Sequence, residues 1–351
     1  MKCKHIFAVE FTIRRETNSR GETTVTKSVK VTYRQNWTAY NAAQTTEKAQ
    51  FMVLLSDLCK SVAEPGQTLG RPRLPLSDMV FSAAFKVYST ISARRFMSDL
   101  VDAYNKGYLS RLPRHSALFK YLEMPALTSA INSLIIASSL PLKAVETDFA
   151  VDSSGFGLPG RIGWREMKYG SAFGVRQDWV KVHLMTGVKT NIVTSVELSD
   201  RYGGDSPFFP SLVEATAQNF SLREVSADKA YSSRKNLSLV SQHGATPYIP
   251  FKDKTVANPQ DALWTKMYHY FMFNRDSFMT HYHKRSNVET TFSMIKAKFG
   301  EQVRAKTSVA QANEVLCKVL CHNICVVIQS IYELGIEPTL WTESAVAHKV
   351  T

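Results

Sequence analysis

The sequence predicts an α/β protein in which a helical block precedes a sheet-building half, and three observations carry that expectation. Apolar residues recur at helical spacing from about 76 to 140. The pattern then switches to period-2 alternation, with Val145, Thr147, Phe149 and Val151 set against Glu146, Asp148, Ala150 and Asp152. Beyond that point strand-like and helical segments alternate to about residue 251. A chain of 351 residues has room for two domains and an added arm. Its 44% hydrophobic and 21% charged content is ordinary globular usage, which excludes wholesale disorder, collagen and a disulfide scaffold.

Residues 1–45 read as a basic β-rich arm. Alternation over Ile6 to Ile13 and at Val25, Val29, Val31 and Tyr33 brackets the turn-prone Asn18-Ser19-Arg20-Gly21, so a hairpin is expected. Residues 46–140 read as a helical region, with a first helix over 47–62 that stops near Pro65-Gly66. Gly70-Arg71-Pro72-Arg73-Leu74-Pro75 is a proline-stiffened basic linker, and Ser77 or Asp78 is placed to cap the helix after it. Short helices follow, interrupted at Gly107, Pro113 and Pro125.

Residues 141–335 form the sheet-building half. A strand ends at Ser153-Ser154-Gly155, and a hairpin of Val180–Thr186 and Asn191–Glu197 turns at 187–190. A helical run from Asp205-Ser206-Pro207 to Phe220 comes next, then the strand Arg223–Ala227. A helix opens at Ser232 or Ser233 and stops at Gly244, and Thr246–Phe251 is strand-like again. Residues 252–281, with Trp264, Tyr268, Tyr270, Phe271 and Phe273, read as a helical insertion whose aromatics serve a core, and 336–351 as a C-terminal tail. Three strands in a meander followed by alternating helices and strands is the order of a ribonuclease-H-like fold, although periodicity alone also admits other α/β arrangements.

Forty-three Lys and Arg against 30 Asp and Glu leave a net charge of +13, which favours a polyanionic partner, nucleic acid first. Residues 71–120 concentrate it, with nine Lys and Arg against three Asp. Arg94 and Arg95 there are candidates for phosphate contacts, and Arg71 and Arg73 for a minor-groove hook, the alternatives being a solvated helix face and a simple basic linker. Five cysteines, three of them four apart at Cys317, Cys321 and Cys325, suggest a helix face packed in a reduced interior. The apolar stretch Ile6–Phe11 is short and interrupted by Glu10, so secretion and membrane spanning are not expected and a cytoplasmic location is.

The residues with chemical potential lie in three places. On one helix at about 100° per residue, Tyr282, Arg285, Glu289 and Lys296 share an arc of about 60°, beside an apolar stripe of Val288, Phe292, Ile295 and Phe299. Read alone, that face is a solvated surface with an Arg285–Glu289 pair. Asp152 and Asp228 change the reading, because each ends a predicted strand, where carboxylates converge beyond a sheet edge. Two Asp and one Glu in a basic protein suit hard divalent cations, which prefer carboxylate oxygens. Two such ions about 3.5–4 Å apart would serve phosphodiester chemistry. Arg285 and Lys296 are placed to hold neighbouring phosphates. Asp148 shares the strand parity of Asp152 and stays open as an alternative ligand, and His183 reads as a packed histidine.

The spacing Tyr282-x2-Arg285-x3-Glu289-x6-Lys296 resembles the YREK signature of DDE transposases of the bacterial insertion-sequence-four superfamily. Ala150-Val151-Asp152-Ser153 and Ser226-Ala227-Asp228-Lys229-Ala230-Tyr231 resemble that family's two Asp blocks, and the likeness runs over about residues 70–335. It implies a ribonuclease-H-like catalytic domain with Asp152, Asp228 and Glu289 as catalytic metal ligands. It further implies two Mg²⁺ ions, with Mn²⁺ as a substitute, and contacts from Tyr282, Arg285 and Lys296 to transposon-end DNA. The activity implied is metal-dependent strand cleavage and transfer at the ends of an insertion sequence, by a homodimer assembled on duplex DNA close to the bacterial nucleoid. A domesticated or inactive relative that binds DNA without cutting it is the alternative.

Overall fold

The computed structural model describes residues 7–17, 23–33, 36–66, 70, 72–158 and 179–338. The elements in chain order begin with an antiparallel hairpin of β1 (Phe7–Thr17) and β2 (Thr23–Tyr33), paired in register from Phe7↔Tyr33 to Thr17↔Thr23. Five helices follow: α1 (Trp37–Cys59), α2 (Leu76–Ser89), α3 (Ala93–Asn105), α4 (His115–Leu122) and α5 (Pro125–Ser139). The second half contains β3 (Asp148–Gly157), β4 (Trp179–Gly187), β5 (Val193–Ser199), α6 (Phe209–Ala217), β6 (Glu224–Ala227), α7 (Arg234–Gln242) and β7 (Thr246–Tyr248). Four helices close the chain: α8 (Ala262–Phe273), α9 (Arg275–Tyr282), α10 (Ser286–Phe299) and α11 (Ser308–Leu334).

The mixed sheet has the order β5-β4-β3-β6-β7; β3, β4 and β5 are antiparallel, and β6 and β7 run parallel to β3. Alternation along β3 divides the core in two. Ala150 and Phe156 face a cluster built from α1, α2, α5, α10 and α11, whereas Phe149 and Val151 face one built from α6 to α9. The sheet is therefore covered by helices on both sides.

Helix α11 is the spine of the larger cluster. It packs on α1, α2, α5 and β5, so the helices before residue 140 and the strands after it share one continuous core. Two helices, Pro125–Leu142 and Ser308–Leu334, are long and apolar enough to cross a membrane by length and composition; 78% of the most apolar stretch in the second is buried inside the protein. Cys317 and Cys321 lie within it as buried free thiols, and Cys321 Sγ donates to the Ala84 carbonyl. The aromatics of α8 and α9 also serve a core, with Phe251 edge-on to Trp264 and Tyr268, and Phe278 edge-on to Phe271.

Several boundaries depart from the sequence reading. Helix α1 begins ten residues early, at Trp37, because Asn36 caps it by accepting from the Ala39 amide at 3.1 Å. Neither Ser77 nor Asp78 caps α2. Glu64 reaches back across twelve residues to accept from the Leu76 and Ser77 amides, at 2.7 and 3.0 Å. Asp78 is buried, accepting from the Ser110 and Arg111 amides. Strand β3 starts later than expected and runs on to Gly157, where it is joined by Gln302 through a parallel bridge. The expected helix over 205–220 is a 3₁₀ turn followed by the shorter α6.

Candidate active site

Parallel pairing sets the first half of the site. The register of β3 on β6 ends at Val151↔Ala227. The next residues in each strand are Asp152 and Asp228, so both carboxylates leave the same end of two neighbouring strands. Beyond that point β3 continues beside β4, Asp152 lying opposite Leu184. Asp228 instead turns the chain, its side chain accepting from the Lys229 amide at 2.6 Å.

The second half comes from α10. Val288, Phe292, Ile295 and Phe299 are its buried stripe, docked in the core cluster that Ala150 and Phe156 face. Asp152 has the same parity as Ala150, so it points toward the start of α10. The segment Tyr282–Lys296 is not one helix, as the spacing argument assumed. Tyr282 ends α9, His283–Arg285 make a 3₁₀ turn, and α10 begins at Ser286. The turn is pinned from below, since Lys284 Nζ lies 2.8 Å from Asp148 Oδ2 and 2.6 Å from Glu224 Oε2.

Arg285 follows directly and joins the two halves. Its Nη1 lies 2.5 Å from Asp152 Oδ2 and its Nη2 2.5 Å from Glu289 Oε1. The i, i+4 pair of Arg285 and Glu289 is thus present, and the same guanidinium reaches the strand as well. Tyr282 lies alongside, its ring centroid 5.9 Å from the guanidinium carbon. Lys296, about three turns further on, donates to Ser154 Oγ at 2.8 Å and sits over the Phe156 ring. Arg285 and Lys296 both lean onto β3.

Burial raises the Asp152 pKa, and the charges of Glu289 and Asp228 add to it beyond what the Ser153 amide and Arg285 offset. Two further carboxylates therefore act on Asp152, with one guanidinium beside it. All-oxygen donors with uncompensated negative charge have the chemistry that a hard divalent cation needs. Among the described residues no three His, Cys, Asp or Glu side chains stand close enough together to hold a metal as they are. Asp152 and Glu289 are connected through Arg285 instead.

The open alternative Asp148 belongs to a separate ion cluster. It takes a fork from Arg223 at 2.7 and 2.6 Å together with Lys284, and its carboxyl sits below the usual range because those cations outweigh its burial. His183 is fully buried, stacked on Phe208 and bonded to Ser199 Oγ at 2.9 Å; burial lowers its pKa to about 4. A group that sequence reasoning missed lies under the neighbouring Ser153. Its hydroxyl donates to Asp205 Oδ1 at 2.8 Å, and Lys181 Nζ approaches the same oxygen at 2.6 Å. The position of Ser153 beside Asp152 was the only signal for it.

Arg94 and Arg95 are exposed on α3, and Arg73 is exposed before α2, all three far from the carboxylates in sequence. Arg71 lies outside the described residues.

No curated protein matches the chain. A family model described as the transposase DDE domain matches residues 143–324, a segment running from just before β3 into α11 and containing Asp152, Asp228 and Glu289. That is more than half of the 351 residues, and the chain belongs to the DDE-domain transposase family.

Proposed function

We propose that this transposase acts on the ends of a bacterial insertion sequence, with Asp152, Asp228 and Glu289 as its catalytic carboxylates and Tyr282, Arg285, Glu289 and Lys296 as a YREK signature. The observation that supports it best is the strand register. Two Asp leave the same end of adjacent parallel strands, and α10 brings a Glu to the same side. The strand order, with an antiparallel trio extended by two parallel strands, fits a ribonuclease-H-like domain.

In this reading the three carboxylates hold Mg²⁺ or Mn²⁺, a pair of ions whose chemistry is to activate the attacking oxygen and stabilise the leaving one in a phosphodiester. The protein's own residues do the rest. Glu289 stands on a helix locked to the sheet by its apolar stripe, which fixes its approach to Asp152. Lys284, tied to Asp148 and Glu224, holds the turn that presents Arg285. Arg285 and Lys296 offer a fork and a point charge to the phosphates flanking the scissile bond. The basic segment 71–120, with Arg73, Arg94 and Arg95, contacts the duplex backbone, and two copies of the chain pair on DNA in the bacterial cytoplasm.

Glu289→Gln tests the reading. The amide keeps the side chain's size and removes an anionic ligand, so cleavage of DNA carrying the element's ends falls by orders of magnitude in Mg²⁺ or Mn²⁺ while binding in a gel-shift assay is kept or tightened. Near-normal cleavage by Glu289→Gln would remove it from the site. Wild-type protein that binds the ends and cuts in no divalent metal would favour the domesticated DNA-binding protein.

A further inference from the structure

Arg285 occupies the place between two carboxylates that a bound cation would otherwise fill. Its two terminal nitrogens are 2.5 Å from oxygens of Asp152 and Glu289, one on each, and its side chain is only 20% exposed. A planar fork bridging two acids while packed beside Tyr282 is a specific placement, unlike that of a solvated surface arginine. The guanidinium meets two carboxylates, and Asp152 also feels the charge of Asp228, so one arginine stands against more than one negative charge.

We propose that Arg285 is an internal counter-ion that holds Asp152 and Glu289 closed in the DNA-free protein, and that a DNA phosphate opens the metal site by taking Arg285 away. The inference rests on the reading of those carboxylates as metal ligands. Arg285 cannot vacate by losing its proton, because a guanidinium stays charged at any physiological pH. An anion that offers both nitrogens an acceptor at once can draw it off, and the two free oxygens of a phosphodiester do so in place of the two carboxylates. Lys296 is poised for the same transfer. Its ammonium rests on a neutral hydroxyl, Ser154 Oγ, for which a phosphate oxygen is a stronger substitute.

The coupling is reciprocal by linkage. If DNA raises the protein's affinity for a divalent ion by drawing off Arg285, the ion raises affinity for DNA by the same factor. The DNA-free protein then binds divalent ions weakly, and the carboxylates become available where a phosphodiester already lies.

Mn²⁺ binding to the full chain, followed by the loss of free-ion electron paramagnetic resonance signal, tests this without any cleavage. Wild type, Arg285→Ala, Arg285→Met and Asp152→Asn are compared with and without a short duplex of arbitrary sequence. Asp152→Asn plus duplex supplies the baseline for ions held by DNA alone. Removing the guanidinium is expected to tighten Mn²⁺ binding about tenfold or more in the absence of DNA. Wild type is expected to reach that affinity only with the duplex. Arg285→Met keeps an unbranched stem of similar length should the alanine variant lose its fold, and the wild-type comparison needs no substitution at all.

Equal Mn²⁺ affinity of wild type with and without duplex, after the baseline is subtracted, overturns the proposal. So does a folded Arg285 variant that binds Mn²⁺ no more tightly than wild type. If Asp152→Asn leaves Mn²⁺ binding untouched, the metal reading itself has failed. If Asp152→Asn abolishes binding and the Arg285 variants change nothing, only the counter-ion role has failed.

Discussion

Asn323 on α11 is the side chain by which the helical half grips the sheet, and replacing it with alanine has a cost that follows from its bonds. Strand β5 is an edge strand, so the outward backbone groups at its start need partners from outside the sheet. Asn323 supplies them. Its Oδ1 accepts from the Val193 amide at 2.9 Å, and its Nδ2 donates to the Val193 carbonyl at 2.7 Å. The same amide reaches Ser138 Oγ at 3.0 Å and the Ile135 carbonyl at 3.2 Å on α5. Asn323 and Val193 are both fully buried, so no water replaces what is lost. Two orphaned backbone groups at about 1–3 kcal/mol each give a loss of about 2–6 kcal/mol. That is a large part of a typical total of about 5–15 kcal/mol. Equilibrium urea unfolding of wild type and Asn323→Ala measures it, and amide hydrogen exchange at Val193 should change from slow to fast. A loss under about 1 kcal/mol with an unchanged denaturant slope would refute the argument, since it would mean that the edge of β5 finds its partners elsewhere.

Gly187→Ala should destabilise by about 2–4 kcal/mol in the same unfolding assay, because its Cβ would stand 2.4 Å from the buried Glu146 Cδ. Glu146 cannot yield without giving up its bonds to the Lys189 and Thr190 amides and the Thr190 hydroxyl. Burial lowers the His322 pKa to about 4, below the ordinary value of 6.5, so the unfolded chain binds the extra proton first. Stability from this group is therefore complete above pH 6.5 and lost as pH falls toward 4, by up to about 3 kcal/mol, and His322→Gln should flatten that slope in unfolding measured at stepped pH. The double substitution of Arg94 and Arg95 by alanine should lower the slope of log affinity for duplex DNA against log salt by up to about 2, and an unchanged slope would take α3 off the DNA.

Much of the sheet was legible because alternation and register leave their mark on single residues. Phe149 and Val151 against Ala150 and Asp152 announced β3, and the matching ends of β3 and β6 followed from an Asp placed after each apolar run. Ser233 was readable as a helix start because its hydroxyl meets the Asn236 amide three residues on, a purely local bond. What escaped was non-local. The cap of α2 comes from Glu64, and the break between Tyr282 and α10 is held by Asp148 and Glu224, more than fifty residues away in sequence. The face shared by Arg285 and Glu289 was visible from their spacing. The guanidinium's second bond, to Asp152 on a strand 133 residues earlier, was not.

The placement of α11 bears on how the chain comes into being. Thr46 on α1 bonds to Tyr332 on α11 at 2.8 Å across 286 residues, and Lys298 pairs with Glu47 across 251. At an elongation rate of roughly 5–20 residues per second, α1 waits roughly 15–60 s after its own synthesis for the helix it packs against. Until α11 emerges from the ribosome, Phe51, Leu55, Phe81 and Phe85 lack the partner that buries them. A product cut short before residue 308 would present that apolar surface to chaperones and proteases, so premature termination should yield degradation rather than a free-standing amino-terminal fragment.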